Sequence, residues 1–195
     1  HSVSLEEKME LMHRYNAILK RSQLVENTNV VYRDSIAHYY MYNTDETSVD
    51  YESSFCGISF SAIAKDGTVM QPYGESIAQY GGFELVEDNY AMAEKVVKTA
   101  AELVKAEQVQ SGLYNVIADP KLAGVFIHEA FGHLSEADFV YENPRMKELM
   151  VIGRRFGPEC LQVIDDGSLP YTGYIPIDDE GIQPQKTYLI KDGIL

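Results

Sequence analysis

The chain has 195 residues, 45% of them hydrophobic, with 30 acidic and 16 basic side chains and a formal net charge of −14. That length suits one or two domains, and that composition suits a packed core. Residues 1–100 and 101–195 each carry 15 acidic and 8 basic side chains, so there is no basic stripe to meet a nucleic acid, and no apolar run approaches the roughly 20 residues that cross a bilayer.

Ser4 and Glu7 have the spacing of a capping box, and Leu5, Met9, Met12 and Leu19 continue it as an amphipathic helix to about Ser22. From about Asn29 to Gly82, short alternating runs predict a β-meander. Ile36, His38, Tyr40 and Tyr42 share one strand face and Ala37, Tyr39 and Met41 the other. Runs at 48–54, 55–64 and 68–71 continue the meander, with Lys65-Asp66-Gly67 as a hairpin turn. The 14 tyrosines and absent tryptophan read as sheet packing with wet hydroxyls. His38 reads as a half-exposed strand residue and His13 as a surface position of the first helix.

A second helix is expected near Asp88, with Met92 or Ala93, Val96, Val97, Ala100, Leu103 and Val104 on its buried stripe. A strand is expected at residues 113–118, then a third helix capped by Asp119 with Pro120 in its first turn. Asn143-Pro144 opens another helix, after which the chain returns to turns and strands. Blocks of helices and strands predict an α+β fold, with helices packed on an antiparallel or mixed β-sheet. Residues 1–110 form its helix–meander–helix part and 111–195 its second part. Cys56 and Cys160 are too far apart for a zinc knuckle or a disulfide framework. A reducing cytoplasm is therefore expected. Cys160 could stand in as a metal ligand, but reads better as a small buried hydrophobe.

The third helix carries the chemistry. From Leu122 to Leu134 it is apolar on nearly every side, as a helix buried in a core would be, yet it contains His128, Glu129 and His133. Two imidazoles can hold an ion, and a carboxylate can take the proton of the water that the ion activates; hydrolysis of a peptide bond by a zinc-bound water requires both. Histidines four apart would be nearly eclipsed on an α-helix. These are five apart, and at about 100° per residue they diverge by about 140°. Either the helix is distorted by a π-bulge or break, or the two histidines share no ion. Gly132, a poor helix former in the right place, favours distortion. Burying the three polar side chains is costly unless each finds a partner, and one metal ion would satisfy all of them. Glu136 or Asp138 could orient the His133 imidazole from behind. The acidic turns at 165–167 and 178–181 lack the alternating oxygens of a calcium loop, and Asp-Gly turn chemistry accounts for them.

The stretch HEAFGHLSEADFV from His128, then Val163-Ile-Asp-Asp-Gly167, Ile177-Asp-Asp-Glu-Gly181 and Leu189-Ile-Lys-Asp-Gly-Ile-Leu195, resembles the TldD/PmbA metallopeptidases in order and spacing. The resemblance covers roughly the last third of the chain. It implies that His128 and His133 bind zinc, that Glu129 activates water, and that small or unstructured peptides are the substrates, maturing peptide antibiotics among them. The family was earlier described as modulating DNA gyrase. Its active members take a third zinc ligand from a cysteine far downstream, which this chain does not reach. They pair with a partner lacking the histidine motif, so a homo- or hetero-oligomer with a family member is expected. A metallopeptidase and a non-catalytic scaffold piece of such a complex both remain open. The start at His1-Ser2 and the hairpin around Lys191-Asp-Gly193 read as the interior of a longer polypeptide. By itself this chain is expected to hold little zinc, to cleave no peptide and to expose an open strand edge at Leu195.

Overall fold

In the computed structural model, which describes residues 3–195, the chain opens with helix α1 (Leu5–Leu19). Its capping box is formed: the Ser4 amide donates to Glu7 Oε2 at 2.9 Å and the Glu7 amide donates to Ser4 Oγ at 3.2 Å. The buried stripe differs from expectation. Leu11, Tyr15, Ile18 and Leu19 face the core, while Leu5 and Met9 are exposed. The helix is rotated so that Tyr15 is inside, which is possible because its hydroxyl finds partners there. That hydroxyl donates to the Val86 carbonyl at 2.5 Å and accepts from the Asn89 amide at 2.9 Å.

Three antiparallel strands follow in the order β1 (Val25–Tyr42), β2 (Ser48–Asp66) and β3 (Val69–Tyr80). The runs at 48–54 and 55–64, expected as separate strands, form one 19-residue strand. Pairing with β1 is uninterrupted there, from Ala37↔Ser53 to Asp34↔Cys56. Cys56, Ile58, Phe60, Ala62 and Ala64 alternate along β2 and are all buried in one cluster with α1 and helix α2 (Tyr90–Leu103). On the other face Gly57 is obligatory, since a Cβ there would stand 2.7 Å from that of its cross-strand partner Ala78. The hairpin turn closes at Gly67, with φ of 57°. From α2 the expected residues Ala93, Val96 and Ala100 enter the core.

This sheet and its helices form one compact unit, up to Val109, and Leu169–Gln183 belongs to the same unit. That segment thus packs with the sheet unit although it lies within residues 111–195. Its attachments are specific: Thr172 Oγ1 donates to the Ala78 carbonyl at 2.7 Å, and Tyr174 meets Tyr80 edge-on at 5.0 Å.

The other unit comprises Gln110–Ser168 and Pro184–Leu195. It contains helices α3 (Pro120–Ile127), α4 (Ala137–Glu142) and α5 (Pro144–Leu149), with the antiparallel pair β4 (Val163–Asp166) and β5 (Lys186–Ile190). Asn143 caps α5, accepting from the Arg145 amide at 3.0 Å. Residues 113–118 form no strand. Their backbone has no ladder partner among the described residues, and Leu113 and Ile117 are fully exposed. After β5 the chain turns tightly through Asp192 (φ 52°) and Gly193 (φ 75°). Leu195 is not left as an open edge: its amide donates to the Arg154 carbonyl at 3.0 Å and its carbonyl accepts from Gly153 at 2.8 Å. Among the described residues, no helix is long and apolar enough to cross a membrane.

Candidate metal centre

Asp119 starts α3 as expected, its Oδ1 accepting from the Leu122 amide at 2.7 Å, with Pro120 in the first turn. The helix then widens. His128–Gly132 is a π turn, in which the His133 amide donates to the His128 carbonyl five residues back. It tightens at once into a 3₁₀ turn, His133–Ser135, where Ser135 Oγ donates to the Gly132 carbonyl at 2.8 Å. The wider turn removes the divergence that a regular helix would impose. The two imidazole centroids stand 4.4 Å apart at 72°. Ligand-capable atoms of His128, Glu129 and His133 all lie within 4.8 Å of one another.

Gly132 does not force this geometry. Its φ and ψ of −53° and −58° are ordinary helical values, and an added Cβ would meet His128 Nδ1 at an unstrained 3.7 Å. Phe131 is the anchor. It is 5% exposed, sits edge-on to Phe156 at 5.5 Å, and shares a cluster with Val163 and Ile190. An apolar residue inside an apolar run carries no signal in the sequence, so Phe131 and the Ser135 contact emerge only from the fold.

The motif helix is not buried in this chain, contrary to expectation. None of the residues of α3 is buried, Leu122 is 59% and Phe126 66% exposed, and His128, Glu129 and His133 are all exposed. The cluster beneath is small, and only Ile127 and Phe131 from this segment reach it. Beside the helix runs an apolar groove of about 680 Å³, lined by Val116, Leu122, Phe126, Ile127, Leu161 and Val163 among others.

Of the two carboxylates proposed to orient His133, Glu136 reaches it, with Oε1 2.7 Å from Nδ1. Asp138 instead accepts from the Phe139 amide at 2.7 Å. Across the ring, His133 Nε2 lies 4.0 Å from Glu129 Oε2. Cys160 is exposed rather than buried, and it is not part of the metal-capable group. Cys56 is buried, and burial pushes its thiol pKa up. In the acidic turns the carboxylates serve the backbone. Asp166 Oδ1 accepts from the Ser168 amide at 3.1 Å, and Asp178 Oδ1 accepts from Glu180 and Ile182 at 3.0 and 2.8 Å.

Two imidazoles beside a carboxylate, on a distorted helix of an α+β fold, form a donor set that fits a metal ion and define a candidate metal-dependent hydrolase. The chain belongs to the PmbA/TldA metallopeptidase family: residues 1–106 match its central domain and residues 111–195 its C-terminal domain. It is 37% identical to Metalloprotease slr0863 of Synechocystis, over 99% of this chain and 42% of that protein. It is 27% identical to the zinc metalloprotease TldD homolog of Saccharolobus solfataricus, over 97% of this chain and 43% of that one. A candidate modulator of DNA gyrase from Bacteroides thetaiotaomicron superposes with a TM-score of 0.81 at 16% identity, covering 100% of this chain and 44% of that one. TldE from Thermococcus kodakarensis does so with a TM-score of 0.61 at 16% identity, covering 95% and 42%. At such identities the likeness is one of fold. The chain spans about two fifths of the length of the relatives it matches.

Proposed function

We propose that this chain carries the metal-binding turn of a zinc-dependent peptidase that cleaves small or unstructured peptides. The observation that supports this most is the π turn, which brings His128 and His133 together beside Glu129. When bound, zinc supplies Lewis acidity that polarises the scissile carbonyl and acidifies water. The imidazoles of His128 and His133 would hold the ion. Glu129 accepts the proton of the attacking water at its carboxylate and returns it to the leaving amine. The exposure of all three side chains suits access by an extended peptide. The donor types and the likeness to the Saccharolobus zinc metalloprotease TldD homolog both support zinc as the metal. The proposal extends to an oligomer with a family member and to a cytoplasmic setting.

In the complete polypeptide, Glu129→Gln keeps shape and hydrogen bonding but accepts no proton. Hydrolysis of a flexible peptide should fall by about 10² to 10⁴ while zinc stays bound. His128→Ala or His133→Ala should lose metal and activity together. Parental turnover in the Glu129 variant would remove the general base from this reading.

One observation favours a non-catalytic reading for the 195 residues alone. A catalytic zinc normally has three protein ligands and a water, and among the described residues the metal-capable group consists of two imidazoles and the proposed base. After dialysis this chain should therefore retain less than one zinc and should not hydrolyse peptides. Full zinc occupancy with turnover would place the third ligand within it.

A further inference from the structure

We infer that Glu136 is the positioning residue of this site: its carboxylate holds the Nδ1–H of His133 and thereby leaves the Nε2 lone pair for the ion. The inference rests on the metallopeptidase reading above.

The pairing is a product of the local fold. In a 3₁₀ turn, side chains three apart eclipse, and His133–Ser135 is such a turn. On a regular α-helix the same pair would be offset by about 60°. Ser135 Oγ holds the turn by donating to the Gly132 carbonyl. Glu136 then leaves the helix with ψ of 132°, and its Oε1 comes to 2.7 Å from His133 Nδ1. Where the Glu136 oxygen accepts at this contact, the ring hydrogen is the one on Nδ1 and the lone pair is left on Nε2. Nε2 is also the nitrogen on the Glu129 side, 4.0 Å from its Oε2. Without Glu136 the exposed ring would be free to rotate and to carry its hydrogen on either nitrogen. Asp138 is engaged elsewhere: its Oδ1 accepts from the Phe139 amide at the start of α4.

The test uses the complete protein with Glu136→Ala, Glu136→Gln and Asp138→Asn. ¹⁵N chemical shifts of His133 in the metal-free protein report the tautomer, with the resonance assigned by its loss in His133→Gln. Chelator competition reports zinc affinity. The parent and Asp138→Asn should show hydrogen on Nδ1, and Glu136→Ala should lose that preference. Zinc affinity should fall about 10- to 100-fold in Glu136→Ala. It should recover in part in Glu136→Gln, whose amide oxygen still accepts, and stay parental in Asp138→Asn. A parent with hydrogen on Nε2, or a Glu136→Ala protein with parental tautomer and affinity, would overturn the inference. The expected tautomer pattern in a parent that takes up no zinc would instead sink the metallopeptidase reading, so the two failures are distinguishable.

Discussion

At the scale of single residues, Tyr15 shows how one polar atom can fix the packing of two helices. The side chain is wholly buried, its ring meets Phe60 and Tyr90 at 5.0 Å each, and its hydroxyl bonds to Val86 and Asn89 just ahead of α2. Tyr15→Phe leaves the ring packing but strands two backbone groups. It should lower unfolding free energy by about 1–3 kcal/mol in urea titrations. An unchanged midpoint would show that water replaces the hydroxyl. The cysteines offer a second contrast. The thiolate is the reactive form; Cys56 is buried with its pKa raised by that burial, and Cys160 is exposed. Brief alkylation of native protein followed by peptide mapping should mark Cys160 and spare Cys56 until denaturant is added. Equal labelling of both would contradict the buried placement of Cys56.

At the scale of the element, the π turn carries the site and Phe131 sets its phase. Phe131→Ala removes a side chain that meets Phe156 edge-on and belongs to the buried cluster of Val163 and Ile190. The loss should be about 3–5 kcal/mol, seen as faster hydrogen exchange across 128–135 and β4. Gly132→Ala is the complementary test, because the backbone is helical there and a Cβ fits. Alanine should be tolerated and should favour helix by up to about 1 kcal/mol, with zinc uptake by the complete protein retained. Loss of zinc in Gly132→Ala alone would return to the glycine a role that the packing assigns to Phe131.

At the scale of the whole molecule, charge governs the response to pH. The net charge of −14 makes the folded chain repel itself at neutral pH. Protonation should at first relieve that repulsion. Four carboxyls then act in the opposite sense. Glu7 is held below its ordinary 4.5 by the Ser4 amide, and Glu84 by the Gly82 amide. Asp34 is held below its ordinary 3.8 by Lys8, and Asp166 by the Ser168 hydroxyl. A depressed folded pKa gives stability that is complete above the ordinary value and is lost as pH falls through the folded one. The urea midpoint should therefore stay level or rise on mild acidification and drop once pH passes below these carboxylate values. Lys8→Met should make that acid limb shallower, and an identical limb would remove the Lys8–Asp34 pair from the explanation.

Local rules carry far in this chain. The Ser4–Glu7 box, the Asp119-Pro120 start, the Asn143 cap, the α2 stripe and the turns at Gly67 and Gly193 each depend on residues within a few positions of one another. The five-residue histidine spacing likewise posed a choice before any coordinates: a distorted helix, or two histidines that share no ion. What tertiary structure decided is different in kind. Which face of α1 lies inside depended on partners for the Tyr15 hydroxyl contributed by residues 86 and 89. The unbroken length of β2 depended on β1 pairing with it from Ser48 to Ala64, and the placement of Leu169–Gln183 on contacts with Ala78 and Tyr80. Glu136 prevails over Asp138 because a 3₁₀ turn eclipses every third side chain and α4 claims the other carboxylate. Capping and periodicity are written in neighbouring residues, whereas burial, phase and partner choice belong to whatever distant segment arrives to fill the space.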